Sequence, residues 1–326
     1  MTEPRFERIQ TNGITLEVAI EGEGPLCVLL HGWPELWLSW RHQIAPLVAA
    51  GYRVAVPDVR GYGGSEAPGP VQAYAMTTMT ADVVGLIEAL GERRAILIGH
   101  DWGAPIAWHT AVLHPNHVDA VVGMSVPYLG RGGPAPPTTV LRAMYKERFF
   151  YILYFQRPEV PEAEFEADVR SALAKIYFAN SADVTAEVRA AMRARTRQSG
   201  YLDGLVVPDP LPAWLTTDDL DRYVAAYERS GFRGGLQRYR NMDADWHALP
   251  QLDRLKIRAP ALFVAGQYDS VLRYVPGMNL MSGMDPFFED LRGKVVIPGA
   301  GHWVQQERPH EVNQVLLEFL GSVAKG

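Results

Sequence analysis

One cysteine in 326 residues leaves an internal disulfide nothing to join, which removes the small disulfide-held secreted folds. That residue, Cys27, stands in the apolar run Leu26-Cys27-Val28-Leu29-Leu30 and reads as a small buried hydrophobe. Long apolar runs are missing as well, so no segment is expected to cross a bilayer. The opening MTEPRFERIQTNG mixes charges of both signs without the apolar centre of a signal peptide, and the expected location is the cytoplasm. An excess of basic charge is the third absence. Lys and Arg number 31 against 37 Asp and Glu, a net charge of -6, and neither nucleic acid nor a membrane surface is expected as a partner. The nine histidines, among them His114-Pro115-Asn116-His117, lack a set of carboxylates or thiolates around them, so no metal and no cofactor is expected.

What remains is an ordinary globular composition, 48% apolar and 21% charged, in a chain long enough for one large domain with an insertion. Short apolar runs recur at Leu26 to Leu30, Arg53 to Val56, Ala95 to Ile98, Ala120 to Met124, Ala261 to Val264 and Val295 to Ile297. Unbroken Val, Ile and Leu runs of this length suit strands buried on both faces of a parallel sheet. The pattern predicts an α/β fold with a mostly parallel central sheet flanked by helices. Between the fourth and fifth runs the texture changes. Helical spacing appears over Thr139 to Phe155, Glu162 to Phe178, Val184 to Arg197 and Thr217 to Ser230. The three prolines of Val206 to Pro212 rule out helix or central strand there. Residues 130–245 are therefore expected to form a helical cap, with 1–129 and 246–326 as the core domain.

Ligands of open α/β sheets gather at the carboxyl ends of the strands. Four such ends carry polar residues: His31-Gly32-Trp33-Pro34, Gly99-His100-Asp101-Trp102-Gly103, Gly266-Gln267-Tyr268-Asp269 and Gly299-Ala300-Gly301-His302-Trp303. Alone, Asp101 could be a helix N-cap, Asp269 a turn residue and His302 a loop filler. Together they form a nucleophile on a tight strand-to-helix elbow, a later acid and a last histidine, the chain order of an α/β-hydrolase triad. His302 is the candidate base and Asp269 the acid that orients it. The segment after the Ala120 to Met124 run contains no acid to compete for that role.

An aspartate at the elbow, where esterases place serine, points to displacement at saturated carbon. Serine attack there would give an ether, which water does not readily cleave, whereas a carboxylate gives an ester that water can. Hydrolysis of that ester passes through an oxyanion, for which the backbone N–H groups of Trp33 and Trp102 are the candidate donors. If the leaving group is an alkoxide, a phenol suits as its acid. From pattern alone, a tyrosine in aromatic segments such as Phe149 to Gln156 reads as core.

The motifs His31-Gly32-Trp33-Pro34, Ser39-Trp40-Arg41-His42-Gln43, Asp58 to Ser65, Gly99 to Gly103 and Gly301-His302-Trp303 resemble those of the soluble epoxide hydrolases of the α/β-hydrolase fold, over nearly the whole chain. The resemblance implies Asp101 as nucleophile, His302 as base, Asp269 as its partner, and Tyr151 and Tyr239 as the two cap donors to the epoxide oxygen. It implies a vicinal diol as product and water as co-substrate. Tyr154, near the first cap donor, is left as packing. His31, Pro34, Phe149 and Trp303 are expected to wall the pocket, and the apolar cap residues imply an apolar epoxide. A haloalkane or haloacid dehalogenase shares the aspartate and the histidine but lacks the tyrosine pair. A non-catalytic binding protein on the same fold is expected to have lost one of the triad, and all three are present here.

Overall fold

In the computed structural model, which describes residues 4–275 and 279–323, one sheet of eight strands forms the centre. The strands are β1 (Arg5–Thr11), β2 (Ile14–Glu21), β3 (Leu26–Leu30), β4 (Arg53–Pro57), β5 (Ala95–His100), β6 (Val118–Met124), β7 (Ala261–Gly266) and β8 (Leu291–Ile297). Their order is β1-β2-β4-β3-β5-β6-β7-β8. Pairing is antiparallel at β1–β2 and β2–β4 and parallel elsewhere.

Every residue of β3, β5 and β7 is buried, which is why these strands read as unbroken apolar runs. Successive side chains go to opposite layers. Leu26, Val28 and Leu30 pack with the helices Met76–Ala89 and Gly103–Leu113, while Cys27 and Leu29 pack with Arg41–Ala49 and Pro309–Val323. The sequence reading missed the hairpin β1–β2 because an edge strand alternates: β1 buries only Ile9 and Thr11. Its turn was nevertheless written locally, since Asn12 and Gly13 both take positive φ between paired Thr11 and Ile14, as a two-residue hairpin requires. β8, at the opposite edge, starts at Leu291 rather than Val295 for the same reason.

Between β6 and β7 the chain is helical. The stretch expected as one helix over Thr139 to Phe155 is two, Pro137–Tyr145 and Tyr151–Phe155, separated at Lys146 (φ 35°). The stretch Glu162 to Phe178 is also two, Val160–Glu166 and Val169–Asn180. The second starts where the Asp168 carboxylate accepts the Ser171 N–H. Thr217–Ser230 matches its expected span and opens on a capping box of Thr216 and Asp219. Ala186–Ala194 is shorter than expected, and Arg233–Arg240 and Met242–Ala248 complete the region. Residues 205–208 and 211–212 are neither helix nor strand.

Candidate active site

At the end of β5 the chain reverses into helix Gly103–Leu113 within two residues, and Asp101 takes φ 48°. A non-glycine residue in that region is held there by its surroundings. Here the surroundings are backbone. A Cβ on Gly99 would lie 2.1 Å from the Gly103 carbonyl, and one on Gly103 would lie 1.9 Å from the Leu30 carbonyl. The two glycines let strand and helix approach, and the turn between them lifts the Asp101 carboxylate above the sheet.

That carboxylate meets two loops. The Trp33 N–H donates to Oδ1 at 2.7 Å, and Oδ2 lies 3.4 Å from His302 Nε2. The imidazole's other nitrogen, Nδ1, is 3.1 and 3.2 Å from the Asp269 oxygens. Asp269 is fully buried after β7 and also accepts the Val271 N–H at 2.9 Å. One imidazole thus bridges two carboxylates. Burial pulls its pKa down, but the Asp269 charge and the hydrogen bonds to Asp101 and Asp269 outweigh this and hold it well above the usual 6.5. The His302 carbonyl is fixed in turn by His100 Nε2 at 2.7 Å and the Ser125 hydroxyl at 3.1 Å.

Sequence reasoning missed Glu35. Its carboxylate accepts the Gly32 N–H, His100 Nδ1 and the side-chain amides of Gln305 and Gln306, at 3.1, 2.7, 2.9 and 3.2 Å. One fully buried acid therefore ties the loop carrying Trp33 to the elbow and to the segment following His302. Burial pushes its pKa up, but the charge and hydrogen bond of His100, the His31 charge and the Gly32 N–H together outweigh this and bring it to about 2. The available signal was an acid inside the otherwise apolar stretch Gly32 to Leu38.

The opposite wall comes from the helical region. Tyr151 opens helix Tyr151–Phe155 and Tyr239 lies in the last turn of Arg233–Arg240, their rings 5.8 Å apart and edge to face. Tyr239 also meets the rings of Trp102 at 5.1 Å and Phe155 at 4.9 Å. Withdrawal from water, then the Asp101 charge, raises both phenols well above their usual pKa of 10. The Gln156 amide donates to the Tyr239 carbonyl at 3.0 Å and joins the two segments. Tyr154 points elsewhere, its hydroxyl donating to Glu164 at 2.7 Å.

Two cavities meet at this point, one of about 160 Å³ and one of about 380 Å³, and Asp101, Tyr151, Tyr239, Val271 and Tyr274 line both. Phe149, Trp303 and the Trp33 side chain line the smaller, and Trp102 the larger. His31 and Pro34, expected in the wall, line neither cavity. His31 is fully buried beneath the loop, donating from Nδ1 to the Gly32 carbonyl at 2.9 Å and accepting the Val59 N–H at Nε2 at 3.0 Å. The Pro34 carbonyl is taken by the Tyr177 hydroxyl at 2.8 Å. Both residues brace the loop because their polar atoms are already used behind it. Among the described residues, no group of three or more His, Cys, Asp or Glu could hold a metal ion, and no helix is long and apolar enough to cross a membrane.

An acid elbow beneath a helical insertion, with a later acid and a final histidine, is an arrangement of one fold family, and the chain belongs to it: the alpha/beta hydrolase fold family matches residues 25–309. Among individual relatives, the chain is 43% identical to epoxide hydrolase A of Mycobacterium tuberculosis over 326 residues, covering 98% of both proteins. It is 38% identical to bifunctional epoxide hydrolase 2 of Rattus norvegicus, covering 94% of this chain and 54% of that protein. Of solved structures, an epoxide hydrolase from an endophytic Streptomyces superposes with a TM-score of 0.95 at 39% identity, covering 100% of this chain and 98% of that one. Epoxide hydrolase A from Mycobacterium thermoresistibile gives 0.91 at 44% identity, covering 97% and 98%.

Proposed function

We propose that this chain is an epoxide hydrolase that adds water to an apolar epoxide and releases a vicinal diol, working through an ester on Asp101. The observation that carries the reading is the opposition of one carboxylate and two phenols across a shared cavity, with His302 and Asp269 behind the carboxylate. The names of the relatives agree with it. We assign residues 130–245 as the cap that carries the phenols.

Because Trp33 N–H holds Oδ1, Oδ2 is the attacking oxygen. The bond from Oδ2 to an epoxide carbon forms as that carbon's bond to the ring oxygen breaks, and Tyr151 or Tyr239 gives the ring oxygen its proton. Phenols held well above pH 10 keep that proton throughout the neutral range. Esterification then removes the Asp101 charge, one of the influences raising the pKa of His302. The imidazole can now give up its proton, which reprotonates the tyrosinate left by ring opening, and take another from water, which attacks the Asp101 carbonyl carbon. The oxyanion that forms meets the N–H groups of Trp33 and Trp102. The ester C–O bond breaks on the carboxyl side, the departing alkoxide takes the proton held by His302 and leaves as the diol, and the Asp101 carboxyl, which keeps one oxygen from water, returns its proton to His302.

A halide leaving group needs only weak N–H donors, so a pair of phenols opposite the nucleophile counts against the dehalogenase reading. The intact set Asp101, His302 and Asp269 counts against a non-catalytic binder. Leu129, Val140, Leu141 and Met144 in the larger cavity support an apolar substituent on the epoxide. The test is the intact mass of His302→Ala after exposure to styrene oxide. A gain equal to the whole epoxide, mapped to the Asp101 peptide, is expected. No gain with styrene oxide together with a gain from a haloalkane would replace this reading with dehalogenation.

A further inference from the structure

We infer that Tyr274 is a positioning residue for epoxide opening: its hydroxyl donates to the Tyr151 oxygen and so directs the proton of Tyr151 toward the oxirane. The inference rests on Tyr151 acting as a proton donor, as proposed above. The two hydroxyl oxygens are 2.7 Å apart, with Tyr274 as donor. Tyr151 comes from the helical insertion, whereas Tyr274 lies five residues beyond Asp269 in the loop after β7. The bond therefore crosses from one wall of the site to the other, at a point where both residues line both cavities.

A phenol has a single proton and can also accept a hydrogen bond. With Tyr274 donating, one lone pair of Tyr151 is occupied and its own proton is free for the cavity. The donor is itself held in place: the Tyr145 hydroxyl donates to the Tyr274 carbonyl at 2.8 Å, and the Phe150 ring stands edge-on to the Tyr274 ring at 5.3 Å. As Tyr151 hands its proton to the opening ring, negative charge grows on its oxygen. The bond from Tyr274 then becomes charge-assisted and stronger than in the ground state. An interaction that strengthens only as the reaction proceeds speeds the step rather than tightening binding. Among the described residues no side chain makes the corresponding bond to the Tyr239 hydroxyl, so the two phenols are unequal donors.

The test measures the two half-reactions, ester formation and ester hydrolysis, separately by rapid quench and intact mass with styrene oxide. Tyr274→Phe keeps the ring and its aromatic contacts, and should slow ester formation about fivefold while leaving hydrolysis unchanged. The same substitution should add almost nothing in a Tyr151→Phe background and retain its full effect in a Tyr239→Phe background. Equal slowing in the two backgrounds, slowing of hydrolysis as well, or no slowing in the otherwise native chain would each overturn the inference while leaving epoxide hydrolysis standing. A native chain that forms no ester at all would overturn the epoxide reading and this inference with it.

Discussion

The two walls of the site are held in place by different means. The lower wall, Asp101, Asp269 and His302, hangs from the carboxyl ends of β5, β7 and β8. Backbone contacts too close for any Cβ fix it, as at Gly99, Gly103 and Gly266, where an added carbon would lie 2.0–2.1 Å from a carbonyl oxygen at Gly99 and Gly266 and 1.9 Å at Gly103. The upper wall, Tyr151 and Tyr239, hangs from short helices held by ring contacts and by side-chain bonds such as that of Gln156 to Tyr239. Rigid turns suit the groups that make and break covalent bonds. A wall held by side-chain contacts suits the role proposed for the two phenols, which must only meet an oxygen whose position varies with the substrate.

If that division is right, the two walls should respond differently to substitution. Asp101→Asn keeps the shape of the elbow but removes the proposed nucleophile, and steady-state turnover should fall by about four orders of magnitude or more, measured as diol release. On the upper wall loss should be graded. Tyr151→Phe or Tyr239→Phe alone should slow ester formation about tenfold or more, and the double variant about a thousandfold, because one donor remains in each single variant and none in the double. A double variant that kept most of its turnover would place the proton source elsewhere.

Glu35 sharpens the contrast because it serves the lower wall without touching the cavity. Glu35→Ala strands four buried donors and should cost about 3–5 kcal/mol in urea unfolding. Its acid response has a definite sign. With the folded pKa near 2 and the ordinary value near 4.5, the carboxylate stabilises the fold fully above about pH 4.5, and that stability is lost as pH falls toward 2. The urea midpoint of the native chain should drop between pH 5 and pH 3 more steeply than that of Glu35→Gln. The smallest effect is expected at Cys27, whose thiol burial pushes up to about 12: a thiol reagent at pH 8 should label the folded chain negligibly and the urea-unfolded chain fully.

The same contrast explains what could be read from the chain. Parallel strands buried on both faces appear as apolar runs, and strand-end turns need glycine beside the reacting side chain, so Asp101, Asp269 and His302 stood out by position. Tyr151 and Tyr239 were named only through resemblance, since an aromatic helix looks the same whether its phenol faces packing or a cavity. Glu35 and Tyr274 escaped because their partners lie far along the chain: Glu35 binds Gln305 and Gln306, and Tyr274 binds Tyr151. The edge strand β1 escaped because half of an edge strand is written for water. His31 and Pro34 were misplaced because the polar atoms on either side of Trp33 in that loop are engaged behind it.

β6 and β7 lie side by side in direct register, Val121 opposite Ala261 and Met124 opposite Val264, although the whole helical region separates them in sequence. To the sheet, that region is a parenthesis: the hydrogen bonds from Val121 N–H to the Pro260 carbonyl and from Ser125 N–H to the Val264 carbonyl close the ladder at 2.9 Å each, whatever is spliced between. A lineage can therefore rewrite the inserted text, and with it the guests the enzyme admits, while inheriting the cutting edge unchanged.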